Sequence, residues 1–107
     1  MRLAAILREI DIQISDPKLS ATAVGRSLGI TKRYVNLLLE ETGQSFAQHV
    51  LYRRLNRAAQ LLRDPGHHRR RISEIALAAG FIDLSYFNRA FRRHFGETPS
   101  GMRAKGS

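Results

Sequence analysis

Apolar residues return every three or four positions through most of the chain, and the breaks in that rhythm mark its helices. Leu3, Ile6, Leu7, Ile10 and Ile14 form one stripe, which predicts an amphipathic helix over residues 2–14. Asp16-Pro17 ends it, because proline disfavours helical geometry in the residue before it. Ser20 offers a hydroxyl N-cap to a short helix over residues 21–28, which stops at Gly29. Thr31 caps the next, residues 32 to about 42, closed by Gly43. Ser45 opens a longer helix over residues 46–63, with Val50, Leu51, Leu55, Ala58, Ala59 and Leu62 on its apolar side and Arg53, Arg54 and Arg57 outside. Asp64-Pro65-Gly66 breaks it. Ser73 is placed to cap a short helix over residues 74–79 that halts at Gly80, and Asp83 caps one running to about Phe95, closed by Gly96. Thr98 provides a hydroxyl for one more. The expected fold is all-α, with about seven helices.

Two of these helix pairs are joined by tight glycine-bearing turns, the arrangement of a helix-turn-helix. The first spans about residues 22–43 and the second about 72–95, and they repeat one another. Gly29 matches Gly80 at an offset of 51, Tyr34 and Asn36 match Tyr86 and Asn88 at 52, and Gly43 matches Gly96 at 53. Gly43-Gln44-Ser45 then parallels Gly96-Glu97-Thr98. Internal repetition of this kind is seldom chance. Gly25 stands where the second motif has Ala76, and either is small enough for a close helix crossing. On the helix after Asp83, Phe87, Ala90, Phe91 and His94 or Phe95 form the stripe expected to be buried, while Ser85, Asn88, Arg89 and Arg92 lie opposite. A face of small polar groups and arginines suits a major groove, where arginine forks onto guanine O6 and N7. The helix between the motifs, at about 1.5 Å per residue, makes a rod of about 25 Å. Recognition helices entering successive major grooves sit about 34 Å apart, so a rod of this order suits a linker.

Composition sharpens that picture. Over 107 residues, 18 Lys and Arg outweigh 9 Asp and Glu, a net charge of +9 with a pI near 11.3. Such a surface attracts polyanions, nucleic acid above all. The excess is uneven: residues 1–19 are neutral, 20–43 carry +1, 44–66 carry +3 and 67–107 carry +5. The C-terminal half is therefore expected to supply most of the non-specific attraction to DNA. The length fits one compact unit or two very small ones, too little for an enzyme domain with a separate regulator. There is no cysteine, which excludes disulfides, zinc fingers and thiol catalysis together. No apolar run approaches membrane-spanning length, and Glu9 and Asp11 interrupt the first segment where a signal peptide would be apolar. The expectation is a cytoplasmic protein with no membrane partner. His49, His67, His68 and His94 stand in no nucleophile or metal motif, so neither catalysis nor a cofactor is expected. The run His67-His68-Arg69-Arg70-Arg71 reads as a solvated or phosphate-facing loop.

The segment from Ile72, with IALAAGF, the Ser85-Tyr86-Phe87 run, Phe91, Gly96-Glu97-Thr98-Pro99 and Met102-Arg103, closely resembles the signature of the AraC/XylS transcription regulators. Leu28-Gly29-Ile30-Thr31 through Arg33-Tyr34 to Glu41-Thr42-Gly43 resembles the family's first helix-turn-helix. The likeness covers about residues 3–103. It implies a bipartite DNA-binding domain of seven helices acting on bacterial promoters, usually as an activator, on the nucleoid. In that family the base-reading positions lie two and six residues after each cap, here Arg33 and Leu37 after Thr31, and Ser85 and Arg89 after Asp83. Leu37 stands where the family often has arginine, and Leu39 where an aromatic is common. Leu37 can still touch a thymine methyl, and Glu40 on the same face would repel phosphates unless it accepts from a cytosine N4.

These readings converge on sequence-specific binding of double-stranded DNA to control transcription. Arg33, Asn36, Leu37, Ser85, Asn88 and Arg89 are expected to contact bases. Thr31, Lys32, Tyr34, Arg54, Asp83, Tyr86, Arg92 and Arg93 are expected to contact phosphates and fix the register. The rival is an adaptor whose basic face meets an acidic protein, such as a subunit of RNA polymerase. Many relatives add a domain that binds an effector or dimerises, for which this length leaves no room; the chain is expected to be either a complete small regulator or the C-terminal piece of a larger one, and the abrupt start on a helix leans toward a piece.

Overall fold

A computed structural model describes residues 2–106. These residues form seven α-helices and one short 3-10 turn: α1 (Arg2–Ile12), α2 (Ala21–Leu28), α3 (Lys32–Glu40), α4 (Phe46–Arg63), the turn Pro65–His67, α5 (Ile72–Ala78), α6 (Leu84–Phe95) and α7 (Pro99–Gly106). No strand occurs among the described residues, and no helix among them is long and apolar enough to cross a membrane. The chain divides into two compact units, one up to Arg53 and one from Arg54, so α4 gives its first half to one and its second half to the other.

The first unit is built on branched aliphatic side chains. Ile6, Ile10 and Ile14 from the α1 stripe pack with Val24 of α2, Val35 and Leu39 of α3, and Val50 of α4. Leu39, where an aromatic is common in the resembled family, is a core residue at 1% exposure. The helix starts follow their hydroxyls: Ser20 Oγ accepts from Ala23 N–H at 3.0 Å and Thr31 Oγ1 from Tyr34 N–H at 3.1 Å. At α4, Ser45 Oγ accepts from Gln48 N–H at 3.1 Å while Gln48 Oε1 accepts from Ser45 N–H at 2.8 Å. That reciprocal pair satisfies two amides the helix itself leaves open. Asp11 takes both its carboxylate oxygens to Arg53 Nη1 at 2.7 Å, an exposed pair worth under about 1 kcal/mol.

The second unit is built on rings. Phe81, Phe87, Phe91 and Phe95 form a ladder with successive centroids 4.9, 5.5 and 4.6 Å apart. Phe87 and Phe91 are wholly buried, as are Ile75 of α5 and Ala79 just after it.

Several boundaries differ from the sequence expectation. α1 stops at Ile12, and the chain bends so that Ile14 still reaches the core. α3 stops at Glu40: Glu41, Thr42 and Gly43 donate to carbonyls three residues back, tightening the last turn out of α geometry. Ser73 is not a cap. α5 starts two residues earlier, at Ile72, and Glu74 Oε1 accepts from Arg71 N–H at 3.1 Å, so a carboxylate in the first turn closes the start instead. His94 is exposed, its ring edge against Phe95, and Phe95 is the half-buried member of that pair.

Gly25 and Ala76 are not equivalent either. A Cβ on Gly25 would sit 2.5 Å from the carbonyl oxygen of Ile30, a clash with backbone that no rotamer relieves. The Ile30 amide donates to the Gly25 carbonyl at 2.9 Å, locking the turn at that distance. In the second unit Phe81 N–H makes the same bond to Ala76, also at 2.9 Å, around a methyl that fits. The two turns share a hydrogen bond but not a clearance.

His49 is 8% exposed, and its Nε2 lies 2.7 Å from the hydroxyl of Thr42. Burial first, then the neighbouring Arg53 guanidinium, holds its imidazole below the ordinary pKa of 6.5. Because the folded value is depressed, the unfolded chain takes the proton first. The neutral ring's contribution is full above pH 6.5 and is lost as pH falls through and below it. Urea midpoints measured from about pH 7 down to about pH 5 should fall for the parent, and less steeply for His49→Gln.

Candidate nucleic-acid interface

Each unit offers one helix with its outer face uncovered. In α3, Val35 and Leu39 point into the core, which leaves Lys32, Arg33, Asn36, Leu37 and Glu40 exposed. Leu37 is 54% exposed, an apolar side chain the core has not claimed. In α6, Phe87 and Phe91 anchor the helix, and Ser85, Asn88, Arg89, Arg92 and Arg93 are exposed. All six residues expected to read bases are therefore on the open faces, three on each helix.

The residues expected to touch phosphates divide further. Thr31 is exposed, and while its oxygen accepts the cap bond its hydroxyl proton remains a donor. Tyr34 lies under the Arg2 guanidinium, 5.9 Å from ring centroid to Cζ, and Tyr86 leans on Phe81 with centroids 6.4 Å apart. Both are partly exposed. Arg54 is half-buried. Asp83 accepts from Tyr86 N–H at 3.0 Å. A carboxylate can only accept hydrogen bonds, so Asp83 shapes the start of α6 and is no donor for a phosphate. In the basic loop, His67 and Arg70 are half-buried, with His67 Nδ1 3.2 Å from Arg70 Nη1, and Arg103 Nη1 donates to the Arg70 carbonyl. His68, Arg69 and Arg71 are exposed.

Beside each open face runs a groove. Asn88, Arg89 and Arg92 line the second unit's groove with Ile72, Thr98 and Ser100. Asn36 and Glu40 line the first unit's with Gln44, Ser45 and Phe46. The far walls come from the next helix start in each case, a non-local contribution that helical periodicity does not reveal. The repeated hydroxyl caps, Ser45 and Thr98, were its only trace in the sequence. Among the described residues no group of three or more His, Cys, Asp or Glu is placed to hold a metal ion.

A family profile described as a helix-turn-helix domain matches residues 24–105. The transcriptional activator RhrA of Rhizobium meliloti is 37% identical over 102 residues, 95% of this chain but 32% of its own length, so the chain spans about a third of that relative. The regulatory protein SoxS of Salmonella typhimurium is 32% identical over 94% of this chain and 92% of its own. Among solved structures, a transcriptional regulator of Chromobacterium violaceum with an AraC-type DNA-binding domain superposes with a TM-score of 0.79 at 29% identity, covering 95% of this chain and 92% of that one. With the profile running through both motifs and α7, and with relatives that are transcription regulators, the chain belongs to the AraC-type family of helix-turn-helix DNA-binding domains.

Proposed function

We propose that this chain binds double-stranded DNA at chosen sequences, each unit setting its recognition helix into a major groove, and that it thereby activates transcription. The observation that carries the reading is α6. It combines a start fixed by Asp83, a spine of buried rings and an outer face of Ser85, Asn88, Arg89 and Arg92. A rigid helix with uncommitted donors on one face is what base-edge recognition needs.

In this reading Arg33, Asn36, Leu37, Ser85, Asn88 and Arg89 meet base edges. Thr31, Lys32, Tyr34, Arg54, Tyr86, Arg92 and Arg93 meet the backbone, with Asp83 acting only through the geometry of its helix. Activation is carried over from RhrA, whose name states that role. RNA polymerase as a partner belongs to the same proposal. The test is to select duplexes from a random pool with this chain and measure their affinity across salt. Expected is an enriched motif with two half-sites, and a log K that falls with log salt at about −0.9 per neutralised phosphate. A pool that stays unenriched while the chain captures acidic proteins would instead support the adaptor reading.

A further inference from the structure

The two units repeat each other in backbone but not in charge. Asn36 and Glu40 match Asn88 and Arg92 at an offset of 52, and Ser45 matches Thr98 at 53. In each unit those three residues line the groove beside the recognition helix. The grooves hold about 400 Å³ in the first unit and about 520 Å³ in the second, so both have room for a phosphodiester group. Space does not distinguish them; charge does. The second groove carries the guanidiniums of Arg89 and Arg92. The first carries the exposed carboxylate of Glu40, which takes no hydrogen bond or ion pair from another described residue.

The reversal extends along both helices. α3 starts with Lys32 and Arg33 and ends at Glu40, with Glu41 next; α6 starts from Asp83 and ends in Arg92 and Arg93. Acidic groups at a helix C-terminus oppose its dipole, so helix stability gives no reason for Glu40 and Glu41. Nor is Glu40 placed like a base reader. It stands seven residues past Arg33, roughly 10 Å further along the axis, whereas the N-terminal part of a recognition helix meets the bases.

We propose that Glu40 is a negative determinant of docking. It keeps the phosphate backbone out of the first unit's groove, so that α3 engages DNA through its cationic start, whereas α6 engages along its cationic end. This rests on the DNA-binding reading above.

The experiment measures the parent, Glu40→Gln, Glu40→Arg and Glu41→Gln on a selected duplex and on a scrambled one across a salt series. Circular dichroism establishes that these surface variants keep their helices. Glu40→Arg should bind both duplexes more tightly. Its advantage over the parent should grow about threefold to fourfold between 200 and 50 mM salt, the increment of one added phosphate contact at a slope near −0.9. Glu40→Gln should fall between, and Glu41→Gln, whose side chain is outside the groove, should gain less. A loss confined to duplexes carrying one particular C·G pair would show that Glu40 accepts from a cytosine N4, and would overturn the proposal. So would unchanged affinity, or an equal gain from Glu41→Gln. If the parent binds no duplex at all, the DNA-binding reading fails instead.

Discussion

Truncating Phe87 to alanine is expected to remove about 3–5 kcal/mol from the second unit, the largest stability loss foreseen for one side chain. Phe87 is wholly buried and sits between Phe81 and Phe91 in the ring ladder. Deleting it forfeits its own transfer free energy, leaves a cavity, and breaks two tilted ring contacts worth about 0.5–1.5 kcal/mol each beyond area. Small helical units have little stability in reserve, so α6 should lose its fixed orientation. Urea unfolding followed by circular dichroism checks this. Phe87→Leu, which keeps most of the volume, should cost clearly less, and equal losses for the two variants would mean the ladder is not the anchor.

Arg89→Ala is expected to leave folding alone and weaken binding to the selected duplex by about 1–3 kcal/mol, with the preference at one base position relaxed. The guanidinium is exposed on α6 and has no partner among the described residues, so its removal opens no cavity and orphans no buried group. Arg92→Ala serves as the contrast. As a backbone contact it should weaken all duplexes alike and flatten the salt slope by about one phosphate. Repeating the pool selection with each variant separates the two. Arg89→Ala returning the parent's motif at full affinity would remove Arg89 from the reading set.

Most of the helical plan is legible from the sequence because its signals are local. A hydroxyl or carboxylate before an apolar period fixed five of the six expected caps, and Gly29 and Gly96 are left-handed at φ 72 and 77, as stops require. Ser73 misled because Glu74, one residue on, makes the competing bond to Arg71, and a cap rule based on hydroxyls ranks the serine first. His94 and Phe95 could not be separated by period alone, since adjacent residues straddle the edge of the buried stripe. The reading faces of α3 and α6 were legible as the complement of their apolar stripes. The groove walls were not, because Thr98 and Ser100 come from the start of a different helix. The clearance at Gly25 was hidden too. It depends on where the Ile30 carbonyl lands in three dimensions, and composition treats glycine and alanine there as equals.

That last detail bears on how far the two motifs can be treated as interchangeable cassettes. A chimera that copies the second motif's alanine into the first imports a methyl group for which the receiving turn has no vacancy. The two halves follow one blueprint with different tolerances, so an exchange between them has to carry Gly25 or Ala76 together with its own turn, whereas outward-facing positions can be altered one at a time.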